Sequence, residues 1–191
     1  MGKDKTIIRL KEIFRAFLPV GLILVMLFFV LIGLFNASLE FCGYGVDSAG
    51  NLYIGRLHQV EVYQKGVRVN TLEIPVSRGW CMTVSNDEII VANMSSIFVL
   101  DLAGNVVREE EDRHGKIFYS IKDTKQVLGA DGSQYSLSDI GGIIQITENG
   151  KTIYQSPIED ILAKLTFWTG SVCMIVGFLG VGLEKLLTKD E

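Results

Sequence analysis

The chain has 191 residues, of which 48% are hydrophobic and 21% are charged, and its formal net charge at neutral pH is −4. A slightly acidic chain lacks the basic surface that binding to phosphates requires, so we expect no nucleic acid among its partners. Two histidines and three cysteines are present. This composition offers few residues for metal binding or nucleophilic catalysis.

Two uncharged runs of 19 residues, residues 17–35 and 165–183, are the first elements that the sequence predicts. A helix of this length rises about 28 Å, close to the roughly 30 Å of the hydrocarbon core of a bilayer. We therefore predict two transmembrane helices in contact with membrane lipid. For the first run a cleaved signal peptide is the alternative, because the small residues Ala37 and Ser38 follow it.

The flanking charges predict the orientation. Residues 1–16 carry five basic residues, Lys3, Lys5, Arg9, Lys11 and Arg15, and residues 184–191 carry Lys185 and Lys189. By the positive-inside rule both segments are cytoplasmic. Residues 36–160 contain 10 basic and 17 acidic residues, a balance of about −7 that suits an exported segment. We therefore predict a two-pass cell-membrane protein with residues 36–156 outside.

The segment between the spans contains three similar stretches that begin at Gly45, Thr83 and Gly129. Val60, Ile97 and Ile143 hold equivalent places, 37 and 46 residues apart, which is the size range of a propeller blade. Each copy has short β-rich runs separated by polar and glycine turns, about four strands per copy. The pattern predicts an all-β domain of about twelve strands.

Three motifs carry a resemblance to a known family: DxxGNLYIG at residues 47–55, IFVLDLAGNVV at 97–107 and NGKTIY at 149–154. They resemble the loose consensus of NHL-type and YVTN-type β-propeller repeats, and the likeness spans residues 41–157. The resemblance implies three four-stranded blades, with function in loops on the blade faces. A propeller normally needs at least four blades to close. We therefore expect an open array, or a six-bladed ring made from two chains.

The polarity of the strands differs among the three copies. Residues 88–92 and 97–100 of the middle copy are apolar on both faces, whereas residues 59–64 alternate and residues 143–147 partly alternate. A strand that is apolar on both faces is typical of a sheet covered on both sides. The pattern predicts a middle blade covered on both faces and two outer blades that each have one solvated face.

The second span has a stripe of small residues. Its members are spaced 4-3-4-3-4 and are Thr166, Gly170, Cys173, Gly177, Gly180 and Glu184. This spacing places them within an arc of about 80°, where small side chains let a second helix approach closely. Either the first span or another subunit packs there. A capping box at Ser156 predicts one long helix over residues 157–188.

The remaining candidate residues do not indicate catalysis. His58 and His114 lie in predicted turns away from any metal or nucleophile motif, and residues 109–112 lack the pattern of a calcium loop. We expect no cofactor and no bound metal. Cys42 and Cys81 lie near the starts of adjacent blades, where an exported chain can form a disulfide, although their repeat positions differ by one or two residues.

Two functions fit these patterns. The first is a non-enzymatic integral membrane protein that presents its β domain to another membrane or extracytoplasmic protein, or to a second copy of itself as a homodimer. In this interpretation the chain is a subunit of a membrane complex. The alternative is a ligand-sensing or substrate-binding module with a closed propeller. A cluster of inward polar residues around a channel would favour the second.

Overall fold

The computed structural model describes the backbone of residues 3–35, 40–76, 79–140 and 143–187, and the side chains of residues 12–32, 40–76, 79–140 and 143–181. The chain divides into two compact units. The helical unit contains Met1–Ala37 together with Pro157–Glu191, and the β unit is Ser38–Ser156.

Within the residues whose backbone is described, the element order is a long helix, twelve strands with one short α-helix among them, and a second long helix. The chain begins with α1 (Lys3–Phe35), followed by β1 (Phe41–Val46), β2 (Leu52–Arg56), β3 (Gln59–Gln64) and β4 (Val67–Glu73). The next strands are β5 (Trp80–Ser85), β6 (Glu88–Asn93), β7 (Ser96–Leu100) and β8 (Val106–Glu111). A short turn of 3-10 helix leads into α2 (Lys116–Lys122), β9 (Gln126–Leu128), β10 (Gln134–Ile140), β11 (Ile143–Glu148), β12 (Lys151–Gln155) and α3 (Ile158–Leu187).

The helical unit consists of α1 and α3, which pack together through Phe28, Ala163 and their neighbours. Glu12–Ile32 and Ile158–Val181 are long and apolar enough to cross a membrane, judged by length and composition. Only 11% and 22% of the residues in their most apolar windows are buried, whereas the core helix of a soluble protein is mostly buried. Helix α1 is continuous from Lys3, so the basic segment before the first apolar run extends that helix.

The β unit consists of three four-stranded antiparallel meanders, the number that the repeats predict. We call β1–β4 the first meander, β5–β8 the second and β9–β12 the third. Strands β1 and β5 pair in parallel, so the first two meanders form one eight-stranded sheet, and the third forms a separate sheet in the order β12-β11-β10-β9. A four-stranded antiparallel meander is the unit from which propeller blades are built.

Two glycines explain why β1 and β5 can pair. Gly43 pairs with Met82 and has a φ of +102°, and a Cβ at Gly43 would collide with the Met82 carbonyl oxygen. A Cβ at Gly45 would likewise collide with Val84. Glycine is needed at both positions because it has no Cβ, and at Gly43 also because of the positive φ. The innermost strands of two meanders therefore lie next to each other.

Two hydrophobic clusters cover the two faces of the first meander. One lies between the first and second meanders and includes Tyr53, Val60, Val62, Met82, Ile89 and Val91. The other lies between the first and third meanders and includes Tyr44, Leu52, Ile54, Tyr135, Ile144 and Ile146. The three meanders are therefore stacked with the first meander in the middle.

This order corrects the prediction for the first repeat. The alternation of residues 59–64 predicted a solvated face, but Glu61 is buried on that face, with only 6% of its surface exposed. Its carboxylate lies near two arginines, Arg56 and Arg68, and a buried charge is tolerated when it is paired. The alternation of residues 59–64 is therefore explained by a buried ionic group and not by a face exposed to water.

Helix α2 corrects the prediction of an all-β domain. Phe118 of α2 packs into a third cluster with Cys81, Ala92, Ile97 and Val99 of the second meander. The buried Asp112 accepts hydrogen bonds from the backbone N–H groups of Ile117 (3.3 Å) and Phe118 (3.0 Å) at the start of the helix. The second meander is thus covered on both faces, as the sequence predicted, but by the first meander and by α2.

Candidate interaction surfaces

Three glycines of the stripe on α3 lie directly against α1. A Cβ at Gly170 would lie 3.1 Å from Leu24 Cβ, and a Cβ at Gly177 would lie 2.6 Å from Leu18 Cγ. At Gly180 a Cβ would collide with Phe14. Large side chains of α1 therefore fill the grooves that the glycines leave, within one chain.

Two other members of the stripe, Thr166 and Cys173, are half-buried. Thr166 Oγ1 donates to the carbonyl oxygens of Leu162 and Ala163, both at 2.9 Å. On the α1 side, a Cβ at Gly21 would lie 2.9 Å from the Gly170 carbonyl oxygen, so small residues meet on both helices. The side chain of Glu184 lies outside the described residues.

The two cysteines of the β unit are both buried and both free, so the structure contains no disulfide between them. They directly precede Gly43 and Met82, the residues that pair β1 with β5, and their strands therefore run side by side. Their side chains belong to different clusters, however. Cys42 lies between the first and second meanders, whereas Cys81 lies beside α2 and donates its thiol to the Phe118 carbonyl oxygen at 3.2 Å.

Burial also determines the chemistry of these thiols. Burial raises the pKa of Cys42 to about 12, with smaller contributions from the charge of Glu40 and from Cys81. Burial raises the pKa of Cys81 to about 12 as well. Because the thiolate is the reactive form, neither cysteine is suited to act as a nucleophile at neutral pH.

A buried ionic cluster lies at the contact between the first and third meanders. Arg56 Nε lies 3.5 Å from Glu61 Oε2, and Arg56 Nη2 donates to the hydroxyl of Tyr154 at 2.6 Å. Arg68 Nη1 donates to Glu61 Oε1 at 2.8 Å, and the Tyr63 hydroxyl donates to Glu61 Oε2 at 2.9 Å. Burial, and then the charge of Glu61, raise the pKa of Tyr63, so its hydroxyl stays protonated. The cluster joins two meanders and satisfies its own charges.

Neither histidine belongs to a site. His58 is exposed in the turn between β2 and β3, and His114 is exposed before α2. Among the residues that the structure describes, no three His, Cys, Asp or Glu side chains are grouped so that they could hold a metal ion.

The face of the third meander that points away from the first meander is uncharged. Cross-strand pairing places eleven described side chains on it, and we call it the Ser/Thr/Gln face. Its members are Gln126, Leu128, Gln134, Ser136, Ser138, Ile140, Ile143, Gln145, Thr147, Thr152 and Gln155. Each is exposed or half-buried, and Leu128 and Ile140 are 74% and 75% exposed.

The turns identify the face of the first meander that is equivalent to the Ser/Thr/Gln face of the third meander. Between β1 and β2, the backbone N–H of Asp47 donates to the Asn51 carbonyl oxygen at 3.1 Å, and between β9 and β10 the N–H of Gly129 donates to the Ser133 carbonyl oxygen at 2.8 Å. The two turns are equivalent, so Leu128 corresponds to Val46 of the first meander. Val46 belongs to the cluster that packs against the third meander. The Ser/Thr/Gln face is therefore equivalent to a face that packs on a neighbouring meander.

The outer edges of the eight-stranded sheet differ in polarity. Strand β8 forms one edge and carries Glu109–Glu111, all exposed, with Arg108 Nε 2.8 Å from Glu110 Oε1. Strand β8 therefore ends in three exposed acidic residues. Charged side chains protect an edge strand from pairing with another chain. Strand β4 forms the other edge and exposes Val67 and Val69.

Comparison with known proteins gives a limited likeness. No family model matches the sequence, and no curated protein matches it. Among solved structures, this chain is similar to a protein of unknown function from Bacteroides caccae (12% identity, TM-score 0.30), to BamB from Moraxella catarrhalis (20%, 0.32) and to glutaminyl cyclase from Myxococcus xanthus (12%, 0.34). The matches cover 61%, 61% and 58% of this chain, and 45%, 37% and 50% of those chains.

The chain thus spans half or less of the length of these structures. BamB and the glutaminyl cyclase are β-propeller proteins, and the likeness to them covers about 60% of this chain. It does not extend to the NHL and YVTN families, whose assignment stays a prediction. Nothing about activity or partners follows from scores of this size.

Proposed function

We propose that this chain is a non-enzymatic, two-pass membrane protein whose extracytoplasmic β unit binds another protein chain within a membrane complex. The apolar helices and the basic residues that flank them support the membrane location and the orientation with both termini in the cytoplasm. The packing of α1 against α3 supports a retained first span, because cleavage would leave the glycines of α3 without the side chains that fill them.

The Ser/Thr/Gln face is the observation that carries this proposal. The first meander is covered by its two neighbours, and the second by the first meander and α2. The third meander packs one face on the first meander. Its other face, the Ser/Thr/Gln face, is exposed or half-buried, although the equivalent face of the first meander is packed against a neighbour. A surface that other copies of the repeat bury against a neighbour is suited to bind one from another chain.

The position of α2 supports an open array. A six-bladed ring from two chains would join the Ser/Thr/Gln face of one chain to the outer face of the second meander in the other. Phe118 of α2 already packs on that outer face, against Ala92 and Ile97. The open array therefore accounts for α2 better than the closed ring that the ligand-binding alternative needs.

The test is the mass of the particle that the full chain forms in mild detergent. Native mass spectrometry is expected to give a wild-type particle heavier than one chain of 21.2 kDa. The Gln145→Glu variant, which puts a charge in the middle of the Ser/Thr/Gln face, is expected to release single chains, because an unpaired charge is costly to bury. The matched control is Gln64→Glu, the same change at an exposed site of the first meander, and it should leave the mass unchanged.

Two results would contradict the proposal. A wild-type chain that is single under conditions in which the β unit is folded would remove the subunit function. An oligomer that Gln145→Glu and Gln64→Glu leave equally intact would show that the Ser/Thr/Gln face takes no part in it.

A further inference from the structure

We infer that the Ser/Thr/Gln face binds the same face of a second copy of this chain, so that two chains form a two-fold symmetric dimer. The inference rests on the proposed function and names its partner. In this dimer the two copies pack sheet against sheet, and neither the outer face of the second meander nor the stripe on α3 takes part.

Charge favours a second copy as the occupant. None of the eleven described side chains on the Ser/Thr/Gln face is charged, although residues 36–160 carry 17 acidic and 10 basic residues. Two copies of an acidic domain repel each other wherever acidic surfaces meet. The Ser/Thr/Gln face allows identical chains to approach without placing like charges opposite each other.

The chemistry of the face is complementary to itself. Glutamine amides and serine or threonine hydroxyls each both donate and accept hydrogen bonds. Within one chain Gln145 Nε2 already donates to Thr152 Oγ1 at 2.7 Å, which shows the pairing available to these groups. A face of carboxylates, which only accept, could not pair with its own copy. Hydroxyl and amide groups can do so in either direction.

The positions of the exposed aliphatic residues agree with two-fold symmetry. Leu128 pairs with Gln134 at the start of β10, and Ile140 lies at its end, about 20 Å away at 3.4 Å per residue. In a two-fold interface the same patch is used twice, so that residue i meets residue j and j meets i. A two-fold axis that lies between the two sheets and runs perpendicular to the strands reverses the strand direction. Leu128 of each copy then lies near Ile140 of the other copy. Both side chains are then removed from water.

The Ser/Thr/Gln face also continues an interface that the chain already uses. The equivalent face of the first meander, with Val46 and Leu52, packs on the third meander through apolar side chains. On the third meander, Leu128 and Gln134 occupy these two places. Hydroxyl and amide side chains at most of these positions suit a face that is exposed in the single chain, and they are compatible with an interface between chains, which is about as polar as the rest of a protein surface.

A charge-swap experiment with two differently tagged full chains tests the inference. We expect wild-type copies to purify together, and Gln145→Glu alone and Gln145→Lys alone each to weaken self-association at least tenfold. Co-expression of the two variants should restore association between them, because opposite charges then meet across the interface. The control pair, Gln64→Glu and Gln64→Lys, should associate like the wild type in every combination.

Cysteine crosslinking in native membranes gives a second measurement that does not depend on a buried charge. Chains with Leu128→Cys mixed with chains with Ile140→Cys should give crosslinked dimers with copper-phenanthroline, whereas the edge site Val107→Cys, which is also exposed in the wild type (59%), should not. The native Cys42 and Cys81 are buried and contribute little background.

The outcomes separate this inference from the proposed function. If differently tagged wild-type copies do not purify together, or if no combination of face cysteines crosslinks, the second copy is excluded. A heavier particle that contains a different protein and is lost with Gln145→Glu would overturn the dimer while leaving the proposed function intact.

Discussion

At the scale of single residues, Glu61 is the carboxylate of the buried ionic cluster between the first and third meanders. It and Arg56 have side chains that are 8% and 6% exposed, and Arg56 reaches Tyr154 of the third meander. Neutralising one member of a buried ion pair removes a large part of what stabilises the other buried charge, and this costs more than the loss of an exposed ion pair. Arg68 contacts the same carboxylate but is 57% exposed, so water can replace its interaction.

We therefore expect Glu61→Gln to lower the free energy of unfolding by about 3 kcal/mol and Arg68→Ala to lower it by about 1 kcal/mol or less. The measurement is thermal unfolding in detergent, followed by the fluorescence of Trp80 in chains that carry Trp168→Phe. Trp80 is buried and donates to the Leu57 carbonyl oxygen at 3.1 Å. Equal losses for the two variants would mean that the pairing of Glu61 with Arg56 adds nothing to the stability beyond the pairing of Glu61 with Arg68.

At the scale of elements, the strands and the long helices were predictable because their periodicity is local. Apolar runs long enough to span a bilayer and short runs ended by glycine turns can be recognised within a few residues. The stacking order was not predictable, because it depends on which meanders meet across tens of residues. Helix α2 was missed because it has only seven residues, of which Phe118 and Ile121 contact the second meander.

The candidate surface was predictable only in part. The partial alternation of residues 143–147 predicted one solvated face on the third copy, and the structure has such a face. Gln126 and Gln155 also belong to this uncharged face, but only the cross-strand pairing places them there. The equivalent prediction failed for the first copy because Glu61 is buried with its charge partners. Polarity along one strand cannot distinguish a solvated face from a buried ionic group.

The packing of α1 on α3 gives the prediction at this scale. Gly177→Leu should lower the thermal midpoint of the helical unit, because the new side chain has no space beside Leu18 and overpacking costs about 1–3 kcal/mol. Leu18→Ala in the same chain should restore part of the loss. Val172→Leu, at an exposed site of the same helix, is the control and should change little. If Leu18→Ala gives no recovery, the groove at Gly177 is not filled by α1.

At the scale of the whole molecule, charge is distributed unevenly along the chain. Residues 1–16, before the first apolar run, carry five basic against two acidic residues, and residues 184–191, after the second, carry Lys185 and Lys189 against three acidic residues. Residues 36–160 carry seven more acidic than basic residues, 17 against 10. The positive-inside rule depends on basic residues close to the ends of the spans. An even number of spans then places both termini on one side and the segment between them on the other.

Labelling of single introduced cysteines with a membrane-impermeant maleimide tests this topology. Val107→Cys should react in intact cells because it replaces an exposed side chain of the β unit, whereas Lys5→Cys and Lys189→Cys should react only after the membrane is opened. The wild-type chain is the control: burial raises the pKa of both Cys42 and Cys81 to about 12, so their thiols stay protonated and unreactive at neutral pH. Reaction of Lys5→Cys from outside would reverse the orientation. A mature chain that lacks this residue would show that the first apolar run is removed as a signal sequence, and α3 would then expose Gly170, Gly177 and Gly180 to lipid or to another chain.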